Sequence, residues 1–156
     1  MAIAHTLVAG AIAAKIGNPI LAPTLSLASH FILDSIPHWD FGTNWRSRTK
    51  TTTGTYAIID TIASLVLAWI IFTPKANPYV LALCMVTSLI PDWFEAPWYI
   101  FFVHPGHEEP GKKAGFVERF FYGVYKATNK LHAKASFPWG MITQIATVTF
   151  FLLVLR

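Results

Sequence analysis

What most constrains this chain is a set of apolar segments of bilayer length: Met1–Ile16, Pro19–Ile36, Thr55–Phe72, Pro78–Ile90 running on toward Val103, and Phe137–Leu155. About 20 predominantly apolar residues cross the hydrocarbon core of a bilayer as a helix, which satisfies its own backbone groups where no water can. Composition agrees, since 54% of the 156 residues are hydrophobic and 13% are charged, whereas soluble domains carry about 25% charged residues. The expected fold class is therefore all-α, a polytopic membrane helical bundle of about five transmembrane helices in a single integral membrane domain over 1–156. Within it, 1–38 reads as a first helical hairpin, 51–103 as a second, 113–134 as an interfacial amphipathic helix and 137–155 as the last transmembrane helix.

An apolar N-terminus also suits a secretory signal peptide. Against that, no basic residue precedes the run, and Gly17-Asn18-Pro19 leads at once into a second apolar helix, the pattern of a tight helical hairpin. Cys84 is the one cysteine, which rules out an intrachain disulfide framework, and it is expected as a small buried side chain. Orientation follows from the basic residues. With alternating helices, Arg46, Arg48, Lys50, Lys112, Lys113, Arg119, Lys126, Lys130 and Lys134 fall on one side and only Lys15, Lys75 and Arg156 on the other. Lys and Arg are retained in the cytoplasm, so the first side and the N-terminus are expected there, at the inner (plasma) membrane of a bacterium. The net charge of +4 reads as topology and attraction to anionic lipid rather than nucleic-acid binding, for which no recognition motif is present.

The segment Lys113–Lys134 interleaves Phe116, Phe120, Phe121, Val124, Tyr125 and Leu131 with Lys126, Lys130 and Lys134. That spacing predicts an interfacial helix whose bases meet lipid phosphates while its aromatics sink toward the acyl chains. The turn residues of His104–Gly111 predict a loop before it.

Chemistry is carried by polar residues where they are expensive. His30, Asp34 and His38 recur at four-residue steps and so share one helix face, with Asp40 just past the Pro37 break. Imidazole and carboxylate at that spacing can share a cation, or Asp can orient a ligating His by accepting its other ring N–H. His5 interrupts the first apolar segment, Asp60 the third, and Asp92 ends the fourth, followed by Glu95. Ionisable groups at membrane depth face a protein interior or aqueous cavity and mark functional sites. Alternating topology gathers them at the cytoplasmic side, Asp60 lying deepest, about two turns inside. The expected metal ligands are His5, His30, Asp34, His38, Asp60 and Asp92, with Asp40 and Glu95 at the rim.

A faint internal repeat supports the gathering. His5-Thr6 matches Asp60-Thr61, and Ile36-Pro37-His38-Trp39 matches Ile90-Pro91-Asp92-Trp93, at separations of 33 residues (His5 to His38) and 32 (Asp60 to Asp92). Two duplicated helical hairpins would each supply one ligand near the start and one at a Pro-terminated end. At the positions of His30 and Asp34 the second hairpin has Cys84 and Ser88.

The N-terminal His in an Ala/Gly-rich helix, the His30-Asp34-His38-Asp40 run and the later Pro91-Asp92 together resemble the bacterial membrane-bound metal-dependent hydrolases of the YdjM/YbcI type, over roughly the first hundred residues. The resemblance implies an inner-membrane protein with a divalent-metal hydrolase site. On the residues alone, one function is a hydrolase in which a divalent cation activates water and a carboxylate, Asp34 or Asp40, serves as catalytic general base. Mixed His and carboxylate ligands suit zinc first, manganese or iron next, and magnesium poorly. The expected partners are membrane lipids, with a phospholipid or lipid-linked phosphate as substrate class. A metal or proton carrier using the same cluster, and a non-catalytic protein with a structural metal, are the alternatives. The outer halves of the helices offer a carrier few polar groups beyond Thr24, Ser26 and Ser64. No nucleophilic-Ser elbow, phosphate-cradling Gly loop or dinucleotide fingerprint supplies a rival enzyme class.

Overall fold

The computed structural model of the protein describes residues 2–39, 49–104 and 108–156. Among them the fold is all-helical, with six α-helices: α1 (Ala2–Ile16), α2 (Leu21–Ser35), α3 (Lys50–Phe72), α4 (Pro78–Pro97), α5 (Phe116–Leu131) and α6 (Trp139–Val154). A π-helical turn, Trp98–Phe102, extends α4. Every apolar segment picked out by sequence is helical, and the segment between the fourth and fifth of them holds α5.

Local sequence explains where several helices begin and end. Gly17 takes a φ of +62°, open to glycine because it has no Cβ, and its N–H bonds the Ala13 carbonyl at 3.2 Å to close α1. Asn18 Oδ1 then accepts the amides of Ile20 and Leu21, both at 2.9 Å, so one turn ends α1 and starts α2. Asn77 caps α4 in the same way ahead of Pro78, accepting the Tyr79 amide at 2.9 Å.

The hub is α1. Its small residues are buried nearly all round, and it packs against α2, α3, α4 and α6. A Cβ at Gly10 would overlap the Phe72 ring, so a glycine is what lets this part of α3 approach. The two helices run parallel: Ala2 N–H donates to Asp60 Oδ2 at 2.7 Å, and four residues on in both, Thr6 Oγ1 donates to the Ser64 carbonyl at 3.2 Å. The second close pairing is α2 on α4.

Contacts at the helix ends fix the arrangement. Lys15 Nζ donates to the Arg156 carbonyl at 2.8 Å, so α1 and α6 finish together. At the opposite end lie the ends of α2 and α4, the start of α6, and Lys50, which donates to the Ile100 carbonyl at 3.1 Å. There α5 docks on the extension of α4: Trp98 is fully buried among Phe102, Tyr122 and Tyr125. Glu95 accepts hydrogen bonds from Thr128 of α5 and from Tyr99.

The outer surface is apolar. Along α3, Ile59, Ile62 and Ile70 are 59%, 57% and 66% exposed, an extent that water disfavours and lipid does not. Two helices, α3 with 23 residues and α4 with its extension at 25, are long and apolar enough to cross a membrane; α1 and α6 are shorter apolar helices.

Candidate metal centre

The site is built around Asp34 at the end of α2, 3% exposed. Four imidazoles surround its carboxylate. His5 Nε2 lies 3.2 Å from Oδ1 and His30 Nε2 3.1 Å from Oδ2; His38 Nε2 lies 3.9 Å from Oδ1 and His132 Nδ1 3.6 Å from Oδ2. His30 lies one helical turn before Asp34 on α2, as their spacing requires; His38 does not continue that helix face, because α2 ends at Ser35 ahead of Pro37 and His38 reaches the carboxylate from extended backbone. Being near the start of α1, which is packed on α2, His5 reaches the same carboxylate.

His132 arrives by backbone pairing. The segment after α5 lies along the end of α2: Ala133 N–H donates to the Asp34 carbonyl at 2.7 Å, His38 N–H to the Ala133 carbonyl at 3.2 Å, and Ala135 N–H to the His38 carbonyl at 2.9 Å. Gly140 at the start of α6 makes room for this segment, because a Cβ there would overlap the backbone of His38, Trp39 and Ala135.

Two further hydrogen bonds set which ring nitrogens face inward. His30 Nδ1 is 2.7 Å from the Ser88 carbonyl, and His38 Nδ1 is 2.9 Å from the Ile36 carbonyl. A carbonyl can only accept, so each Nδ1 carries the ring proton, and the neutral ring turns an Nε2 lone pair toward Asp34. An ionised carboxylate also only accepts.

Acceptor thus faces acceptor in a buried site, and positive charge must stand between them. Protons on the imidazoles are one source. The rings, however, adjoin in pairs, His5 stacked on His30 at 4.2 Å and His38 tilted against His132 at 4.7 Å between centroids. Protonating both members would press two like charges together without water, so protons alone would charge one ring of each pair. The distances divide. His5 and His30 stand at hydrogen-bond length from the carboxylate, 3.2 and 3.1 Å, whereas His132 and His38, at 3.6 and 3.9 Å, stand too far off for a hydrogen bond, the former at the spacing of about 3.3–3.6 Å between two ligands of a tetrahedral zinc. His38 Nε2 and Asp34 Oδ1 are both buried without a hydrogen bond.

Of the residues expected from sequence, the structure brings together His5, His30, Asp34 and His38. Asp92 adjoins them, its Oδ1 3.8 Å from His30 Nε2 and its side chain 42% exposed. Asp60 accepts the Ala2 amide at the start of α1, a contribution to the helix N-terminus that holds His5 one turn on, and it belongs to neither metal-competent set. Glu95 is engaged by Thr128 and Tyr99 rather than by the cluster. Asp40 lies outside the described residues.

Sequence reasoning missed His132 and Gln144. Nothing local to His132 marks it as a ligand, since it ends a segment read as interfacial. Gln144 has a signal in hindsight: it is the lone amide in the apolar α6, 9% exposed, with Oε1 making no hydrogen bond. It lines a cleft with Ala4 and His5 of α1, Leu33, Asp34, Ile36 and His38 of the α2 end, and Thr147 and Val148 of α6.

No protein family, no curated protein and no solved structure matches the chain.

Proposed function

We propose that this is a five-span protein of the bacterial inner membrane, N-terminus cytoplasmic, related to the YdjM/YbcI-type metal-dependent hydrolases and acting at the cytoplasmic face on a phospholipid or lipid-linked phosphate. The observation that carries the reading is the Asp34 carboxylate faced by inward-turned imidazole lone pairs, a buried arrangement that a divalent cation completes. Zinc suits the donor set first, manganese or iron next; bound there, the cation would lower the pKa of a water and polarise a phosphoryl oxygen.

Asp34, ringed by imidazoles, holds positive charge rather than moving protons. The general base then falls to Asp40 or to the half-exposed Asp92. The cleft, which has room for about one water molecule, sets His38, Asp34 and Gln144 against the apolar Leu33, Ile36 and Val148. Orientation rests on the basic residues: Lys50, Lys112, Lys113, Arg119, Lys126, Lys130 and Lys134 belong to the site end, against Lys15, Lys75 and Arg156 at the other. On α5, Phe116 and Val117 are 82% and 57% exposed, suited to sinking into an interface.

Burial favours one other reading, a structural metal, since His30 and Asp34 are 1% and 3% exposed and structural sites are closed. Detergent-purified protein should carry stoichiometric divalent metal that a chelator removes. With metal present it should hydrolyse at least one of short-chain phosphatidic acid, phosphatidylglycerol and a prenyl phosphate, and Asp92→Asn should keep the metal while slowing turnover. Metal without turnover in the parent protein leaves the structural reading; a metal-free protein removes both.

A further inference from the structure

We infer that the centre holds two cations bridged by Asp34, and that His132, delivered by the segment after α5, is a ligand of the second. It rests on the cation reading above and goes beyond it in number and in ligand set.

The donors fall into two sets, His5 with His30 and Asp34, and Asp34 with His38 and His132. Within each set the donor atoms lie within 4.8 Å of one another, and the sets share only Asp34. Both carboxylate oxygens are used twice: Oδ1 faces His5 and His38, Oδ2 faces His30 and His132. Each set also has its own adjoining pair of rings, stacked in the first and tilted in the second.

The end of α2 keeps the sets apart. His30 lies inside the helix, one turn before Asp34, whereas the chain turns extended at Ile36 and His38 approaches from beyond the last helical residue, Ser35. His30 and His38 accordingly fall in different sets of donors, on either side of the carboxylate they share. One cation on each side, with the carboxylate between, uses every donor, and a bridging carboxylate is at home in two-metal sites whose ions stand about 3.5–4 Å apart. The sets differ in their surroundings: a second carboxylate, Asp92, stands 3.8 Å from His30 beside the first set without belonging to its donors. The second set hangs on the chain pairing that joins Ala133 to Asp34 and His38. The first cation is accordingly the tighter one, and the second depends on the docking of α5.

Metal stoichiometry on the full chain in detergent tests this, by titrating apo protein with zinc and counting bound equivalents. The parent should bind two, His132→Ala one, and His30→Ala one. Manganese-loaded parent should give the paramagnetic resonance spectrum of an exchange-coupled pair, and His132→Ala that of an isolated ion. Thermal melting keeps the count interpretable; should His132→Ala melt well below the parent, His132→Gln replaces it, with the same loss of one equivalent expected. One equivalent in the parent overturns the second cation and leaves the cation reading standing. Two retained in a folded His132 variant overturn its role as ligand. None in the parent overturns the cation reading itself.

Discussion

The two ends of the bundle are made in different ways. At the end holding Lys15 and Arg156, chain reversals are specified by residues next to one another: Gly17 at φ +62°, Asn18 capping α2, Asn77 and Pro78 opening α4. At the site end, the structure is held by residues far apart in sequence. Ala133 pairs with Asp34, Thr128 with Glu95, and Gly140 lies against Trp39. An end built from local turns can be changed one residue at a time at small cost. An end built around a buried carboxylate ties chain placement, metal and chemistry together, so one substitution should move all three.

The largest expected effect is therefore at Asp34. Asp34→Ala removes the group that four imidazoles face, and breaking a buried charge arrangement on one side costs about 3–5 kcal/mol. Bound metal should fall to none by elemental analysis, with a large drop in melting temperature. Asp34→Asn should recover part of the stability, because its amide N–H₂ can donate to an inward lone pair, yet still bind no metal. Recovery of stability together with metal would show that the carboxylate charge is dispensable, and the electrostatic account would go with it.

The same division explains what was legible in the sequence. Helices announced themselves by apolar length, and the site end by the four-residue spacing of His30 and Asp34, because both are local patterns; His38 was picked out by the same spacing but reaches the site from extended backbone past the end of α2 at Ser35. α3 begins at Lys50, several residues before the apolar run at Thr55, because Thr49 supplies a cap to the Thr52 amide at 3.2 Å and polar residues continue a helix as readily as apolar ones. Asp60 looked like a ligand because an acid inside an apolar helix must face something. What it faces is the Ala2 amide, a partner that only packing reveals. His132 was invisible for a related reason: its approach depends on a backbone register between segments about a hundred residues apart, and register leaves no periodic mark in sequence.

A pair of substitutions sharpens the comparison at intermediate size. Gly140→Ala puts a methyl group against the backbone of His38, Trp39 and Ala135; backbone has to shift, at about 1–3 kcal/mol, and His38 shifts with it. Asn77→Ala removes a cap at the opposite end, worth about 1 kcal/mol. Both proteins should melt earlier, but only Gly140→Ala should weaken metal binding in a competition assay with a chromogenic chelator. Equal metal affinity in the two variants would break the link between chain placement and site that distinguishes the ends.

The smallest change in stability, and the most telling for function, is expected at Gln144. Its Oε1 is buried against the cleft without a hydrogen bond, a condition that costs stability unless something else arrives to use the group. Leucine has a similar size and no such acceptor, so Gln144→Leu should melt at or slightly above the parent, within about 1 kcal/mol. Metal content should be unchanged, since Gln144 belongs to neither set of donors. If the amide waits for the polar part of an amphiphilic substrate, turnover of whichever lipid phosphate the parent accepts should fall through a raised KM with kcat less affected. An unsatisfied amide kept only by packing predicts the same melting behaviour with unchanged KM and kcat, and that result would detach the cleft from the site.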